Sequence, residues 1–280
     1  MRHLPSFLQA IRPRIAASWL AALTLVLAGR AYAAEQVISV PLAGGATISY
    51  LLTQPDAGAP QWVLVMFPGG EGALQLSQSA DGTIRLLEHG NFLVRSRTLF
   101  ATDGFATAVI DAPSDQSGGY SDEFRASPRH AQDLERIAAD LRQRFPSAKL
   151  VLIGTSRGTI SSAFAGRALP GVWDAVIHTS TLSSPSRGQA LPLTGFDYGS
   201  IQARQLFVHH EDDACFLCSY RAAREIAAAH DLITVHGGMA RGNPCQAKAH
   251  HGFYGEDQAV VAAIKAWIVG GAWPKDVDGD

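Results

Sequence analysis

Short apolar runs alternate with segments of helical period along most of this chain, and that alternation limits its possible folds more than any other feature. Residues 62–67, 105–110, 150–153, 172–178, 205–209 and 232–235 are near-continuous apolar runs, the pattern of strands covered on both faces. Residues 93–102, 128–145, about 157–168, an alanine-rich stretch ending near 229, and 257–269 read as helices. In the second of these Ala131, Leu134, Ile137, Ala138 and Leu141 share one face, and Pro146 closes it. Parallel strands need a crossover, so the alternation predicts a mostly parallel sheet with helices on both faces. Ahead of it, residues 36–41 and 46–53 flank Gly44-Gly45 and read as an antiparallel hairpin. The expected fold class is therefore α/β, with a central sheet of about eight strands. Its longer connections, 69–91, 112–127, 181–201 and 237–251, leave no room for a large lid domain. In such folds the loops beyond the carboxyl ends of the strands build the site.

The first 33 residues differ from the rest. Arg2, Arg12 and Arg14 precede an almost wholly apolar stretch, and Ala31-Tyr32-Ala33 places small residues where a signal peptidase reads. The run is short for a bilayer core of ~30 Å. Residues 1–33 are thus expected to be a secretory signal, and 34–280 one domain that works in the periplasm or outside the cell, without stable membrane insertion after cleavage. With 47% apolar and 17% charged residues the chain suits a packed core, and a formal charge of −2 offers no basic surface for nucleic acid. In an oxidising compartment a cysteine pair tends to bridge. Of Cys215, Cys218 and Cys245, a bridge from Cys245 to one of the first two is expected, with Cys215 preferred.

Gly154-Thr155-Ser156-Arg157-Gly158 sits between the apolar run 150–153 and a helical segment. A serine on a sharp strand-to-helix turn needs small neighbours, and the turn presents its hydroxyl at a helix N-terminus, where developing negative charge is favoured. A hydroxyl needs a base, and the base needs an orienting carboxylate. Residues 209–213 (His-His-Glu-Asp-Asp) end one strand, and His250-His251-Gly252-Phe253 precedes the last helix.

The elbow, the acid-bearing strand end and the final His-Gly-Phe together resemble the α/β-hydrolase superfamily, over nearly all of the mature chain. The resemblance implies an order of nucleophile, acid, histidine, which falls on Ser156, Asp213 and His251. Asp212 is the alternative acid, and His250 a bystander. It further implies an oxyanion hole from the backbone N–H of Arg157 and of Gly70 or Glu71, Gly70 being favoured. Gly70 and Glu71 stand in Pro68-Gly69-Gly70-Glu71-Gly72, where Pro68 replaces the family's histidine. The activity implied is hydrolysis of a carboxylic ester or related acyl compound, on a small-molecule substrate and with no cofactor.

Plainer readings stand beside these. Glu211, Asp212 and Asp213 read equally as a solvated loop, and residues 68–72 as a glycine-rich turn. His209 and His210 point to opposite faces of a strand, which argues against a shared metal ion. Residues 91–97 and Asp111–Asp115 either line a pocket or cap helices and turns. The same triad would serve a peptidase or amidase. Cys215-Phe216-Leu217-Cys218 has the spacing of a thiol–disulfide oxidoreductase, and a hydrolase fold can serve binding alone.

Overall fold

The computed structural model describes Met1 and residues 34–54, 58–184 and 193–279. The expected signal and its cleavage site lie outside these residues. Among the described residues no helix is long and apolar enough to cross a membrane.

The opening hairpin is β1 (Ala34–Pro41) and β2 (Thr47–Gln54), paired antiparallel from Ala34↔Gln54 to Pro41↔Thr47. β3 (Trp62–Phe67) follows. The long connection after it holds a two-stranded ladder, β4 (Ser77–Gln78) and β5 (Ile84–Arg85), and then two one-turn helices, α1 (Phe92–Arg95) and α2 (Arg97–Phe100). The helix expected over 93–102 is broken at Ser96, whose hydroxyl bonds back to the Phe92 carbonyl and competes with the backbone ladder.

β6 (Phe105–Ile110) leads through α3 (Asp122–Arg125) to α4 (Pro128–Arg144), which is capped by the Ser127 side chain on the His130 N–H. Next come β7 (Lys149–Thr155), α5 (Gly158–Ala168) and β8 (Ala175–Thr179). Val172 and Trp173, expected in that last strand, belong to the turn before it, where the Trp173 indole donates to the Ala165 carbonyl. β9 (Arg204–His210), α6 (Tyr220–Ile226), β10 (Asp231–His236), α7 (Asp257–Val269) and β11 (Asp276–Asp278) complete the chain.

The main sheet runs β1-β2-β6-β3-β7-β8-β9-β10-β11, antiparallel at β1–β2 and β2–β6 and parallel from β6 onward. β11 is the strand beyond the expected eight. It is Asp-Val-Asp with only Val277 buried, too short and acidic to carry a strand signal.

Because strand side chains alternate, each central strand feeds two cores. Val63, Val65 and Phe67 enter one cluster, with Leu134, Ile137 and Leu141 of α4 and Ile160 of α5. Leu64 and Met66 enter the other, with Phe92, Phe100 and α7's Val260, Ile264 and Trp267. Helices cover both faces, as the continuous apolar runs require.

Candidate active site

β7 ends at Thr155, and Ser156 follows with φ +54°, a left-handed conformation that side-chain-bearing residues adopt at some cost. Both glycines of the motif are demanded by close approach. A Cβ on Gly158 would lie 2.1 Å from the Phe67 carbonyl oxygen, and one on Gly154 would lie 2.4 Å from that of Gly158. The Ser156 N–H donates to the Thr179 carbonyl (3.0 Å), which ties the bend to β8. Arg157, with αR geometry, opens the first turn of α5, where helix N–H groups lack intrahelical acceptors.

The segment 68–72 crosses directly over this bend, since a Cβ on Gly69 would lie 2.9 Å from that of Ser156. Asp111 anchors residues 74–76 at its far end: the Asp111 carboxylate accepts the N–H groups of Leu74 (2.7 Å), Gln75 (3.2 Å) and Leu76 (2.8 Å), and also that of Ala112 (2.8 Å). Asp111 thus fixes a turn, and the hollow it borders with Ala112, Pro113 and Ser114 does not include Ser156.

The acid and the histidine meet on the other side. Asp213 Oδ2 accepts from His251 Nδ1 at 2.9 Å, and Oδ1 accepts the Cys215 N–H at 2.9 Å. Both side chains are buried. Burial raises the Asp213 pKa, but hydrogen bonds from His209 and His251 and their charges outweigh it and hold the carboxyl at about 2. Asp212, the alternative, is exposed, and its N–H donates to His210 Nδ1 (3.0 Å).

His251 sits in the one-turn 3-10 helix His250–Gly252. Its carbonyl accepts from the buried Ser180 hydroxyl (2.6 Å), and a Cβ on Gly252 would lie 2.2 Å from the Ala247 carbonyl oxygen. Arg95 clamps the turn from below: it donates to the carbonyls of Gly90, Ala247 and Gly252 and pairs with Asp257 at 2.8 Å. Residues 91–97 thus divide. Asn91 caps α1 and also borders the cavity in front of Ser156, whereas Arg95 braces the histidine turn.

Ser156 and His251 face this one cavity of about 230 Å³, bordered also by Gly69, Gly70, Glu71 and Gln246. The Ser156 hydroxyl does not hydrogen-bond His251; its Oγ lies 4.0 Å from Cys218 Sγ, which is itself within 4.8 Å of a ring nitrogen of His251. A larger depression of about 830 Å³, between Thr98, Leu99 and the start of α7, holds none of the three groups.

Two residues given no role from sequence have clear ones. His209 Nε2 lies 2.9 Å from the Cys218 carbonyl and 3.2 Å from Asp213 Oδ2. Both neighbours are acceptors, so Nε2 carries the proton and the ring is a second donor beside the acid. The four-residue spacing from Asp213 was the only available signal. His210 bonds the Gly237 carbonyl through Nε2 and stacks on His250 at 4.2 Å.

Cys215 bridges Cys245, the preferred pair, and so joins the loop of the acid to the loop of the histidine. Cys218 is a buried free thiol whose pKa burial pushes up, the reverse of an activated redox cysteine. The Cys-x-x-Cys motif is split between a bridge and an inert thiol, which removes the basis for the oxidoreductase reading. Two groups could be considered for a metal ion among the described residues. Cys215, Cys218 and His251 lose Cys215 to the bridge. His210, Asp212 and His250 lose His210, both of whose ring nitrogens are already bonded.

Solved structures share this architecture. An α/β serine hydrolase without a lid from Xanthomonas campestris matches with a TM-score of 0.55 at 14% identity, covering 83% of this chain and 94% of that one. The fold is that of the α/β-hydrolase superfamily. Dienelactone hydrolase from Anabaena variabilis (TM-score 0.55, 15% identity, 85% and 98% covered) shares the α/β-hydrolase fold, as does Est1E from Butyrivibrio proteoclasticus (0.58, 13%, 83% and 97%). No family model and no curated protein sequence matches the chain.

Proposed function

We propose that the protein is a serine hydrolase that cleaves carboxylic esters or related acyl compounds through Ser156, His251 and Asp213. One observation carries this reading: a 2.9 Å bond from His251 to a buried carboxylate, in a cavity shared with a serine on a strained strand-to-helix bend. Asp213 occupies Nδ1 of His251 and leaves Nε2 to serve as the base. Turning the Ser156 hydroxyl from Cys218 toward Nε2 completes the relay, an adjustment of the kind that substrate binding brings to unliganded sites.

Ser156 Oγ then attacks the acyl carbon while His251 takes its proton. The charge arising on the carbonyl oxygen falls beside the N–H groups of Arg157 and of Gly70 or Glu71. His251 returns the proton to the leaving alcohol, and water repeats the sequence on the acyl-enzyme. The small cavity, with Glu71, Asn91 and Gln246 at its border, favours short acyl groups over fatty ones. Residues 1–33 are proposed as an export signal; the bridge in the mature domain is consistent with an oxidising destination.

Hydrolysis of p-nitrophenyl esters of graded acyl length tests the reading. The expected result is turnover of acetyl and butyryl esters that falls with longer chains and disappears in Ser156→Ala. Undiminished turnover in Ser156→Ala would remove this serine from the mechanism.

A further inference from the structure

Arg125 ends α3 and is 1% exposed, yet it makes no ion pair among the described residues. An unpaired buried cation is strongly destabilising unless polar groups replace the water it has lost. The groups that do so belong to the machinery around Ser156. Nη2 donates to the carbonyls of Pro68 (3.3 Å) and Gly70 (3.4 Å), and Nη1 donates to the Ser161 hydroxyl on α5 (3.0 Å). The guanidinium lies over the Tyr120 ring at 4.5 Å, and the Tyr120 N–H holds the Glu71 carbonyl at 2.7 Å. A Cβ on Gly72 would lie 2.5 Å from Arg125 Nη2, and Gly72 has φ +65°, so this glycine makes room for the cation.

We infer that Arg125 is a positioning residue for oxyanion stabilisation, holding residues 68–72 so that their amides face the cavity beside Ser156; this rests on the serine-hydrolase reading. In a trans peptide the C=O and N–H point oppositely. Drawing the Pro68 and Gly70 carbonyls toward Arg125 turns the N–H groups of Gly69 and Glu71 away from it. Gly69, Gly70 and Glu71 border the cavity and Arg125 does not, so those N–H groups turn to the cavity side. The Gly70 N–H belongs to the peptide between these two, which is fixed on either side rather than held directly. Among the described residues, none of the three N–H groups is spent on a backbone carbonyl. Through Ser161 the same guanidinium grips the helix that opens with Arg157, so this side chain ties the two donor regions together from the buried side, while the Arg157–Glu71 ion pair (2.8 Å) joins them at the surface.

The test compares wild type with Arg125→Lys, which keeps the charge and cannot hold three acceptors in a planar fork. A short p-nitrophenyl ester gives kcat and KM, and an aryl trifluoromethyl ketone, which adds a serine hydroxyl to form an anionic adduct, gives Ki. The expected result is kcat lower by about 100-fold, as for loss of one oxyanion donor, with KM within about twofold. Ki should rise by the same factor as kcat/KM falls. Unchanged kcat/KM, or a loss carried by KM with Ki unmoved, would overturn the inference. If Arg125→Lys does not fold, Ser161→Ala removes one anchor only; kcat lower by about 5-fold with Ki in step is expected, and no change in either overturns the inference. A wild-type protein that neither turns over the ester nor binds the ketone defeats the hydrolase reading itself, whereas an active wild type with an unaffected variant defeats only the role of Arg125.

Discussion

The bend that carries Ser156 and the corner where Asp213 meets His251 are built by opposite means. The bend is shaped by contacts between main-chain atoms only a few residues apart or on adjoining strands: Gly154 against Gly158, Gly158 against Phe67, and the Ser156 N–H on Thr179. The corner is assembled by side chains from distant segments. Arg95 and Ser180 reach in from other parts of the chain and the Cys215–Cys245 bridge spans 30 residues, while His209 alone is local, four residues before Asp213. Local sterics leave a mark on the sequence, because only glycine satisfies them. Long-range braces leave almost none, because an arginine or a serine that braces reads like any other.

The severest way to break the first region is Gly158→Ala. Its methyl group would meet the Phe67 carbonyl at 2.1 Å, and both sides are main chain with nowhere to shift. The expected outcome is loss of more than about 4 kcal/mol, measured by urea unfolding or as failure to fold. The corner answers to Asp213→Asn, which keeps the shape and loses the charge that holds the His251 tautomer. An intact fold with kcat lower by about 10⁴-fold is expected in steady-state kinetics.

Cutting the bridge with Cys245→Ser separates the loops of acid and histidine while His209, Ser180 and Arg95 stay in place. Activity should fall by about 10-fold, with an unfolding midpoint lowered by the ~2–4 kcal/mol typical of a bridge. Fluorophosphonate labelling, expected to be lost in Ser156→Ala, bears only on the proposed nucleophile. A subtler probe of the bend is Ser156→Gly, which removes all turnover yet relieves a side-chain-bearing residue at φ +54°. Stability within about 1 kcal/mol of wild type, or above it, is expected from denaturant titration.

The smallest effect concerns the floor beneath the bend. His130 is buried against Phe67, Tyr120 and Phe124, with no hydrogen-bond partner for either ring nitrogen among the described residues. Burial, aided by the Arg125 charge, lowers its pKa to about 3, and burial lowers that of His178 to about 3 as well. Both rings are protonated more readily in the unfolded chain. Their contribution to stability is therefore complete above the ordinary histidine pKa of ~6.5 and is lost as pH falls through about 3. Melting temperature should decline across that acidic window, and His130→Phe should make the decline shallower.

The same contrast explains what could be read from sequence. Strands buried on both faces announce themselves through continuous apolar runs, so β3 and β6 to β10 were legible, as was the elbow, whereas β4 and β5 lie in a stretch read as a connection. Ser156, Asp213 and His251 could each be named from short patterns, but only three dimensions bring His251 to Asp213 and leave Asp212 in solvent. β11 was not legible, because two of its three residues are aspartates held by pairing with β10. The break between α1 and α2 comes from one hydroxyl at Ser96. Arg125 was the least visible of all. It lies in a stretch read as loop, with charged neighbours, and its burial depends on Tyr120, Pro68, Gly70 and Ser161 converging on it.

In the proposed mechanism the hydroxyl at 156 becomes covalently bound during turnover, driven by the imidazole at 251. Peptide mapping by mass spectrometry after reaction with a fluorophosphonate, in wild type and in His251→Ala, tests it most directly. The expected result is a single phosphonylated peptide containing Ser156 in wild type, formed at least about 100-fold more slowly in the variant. A label on any other residue, or equal rates in the two proteins, would contradict it.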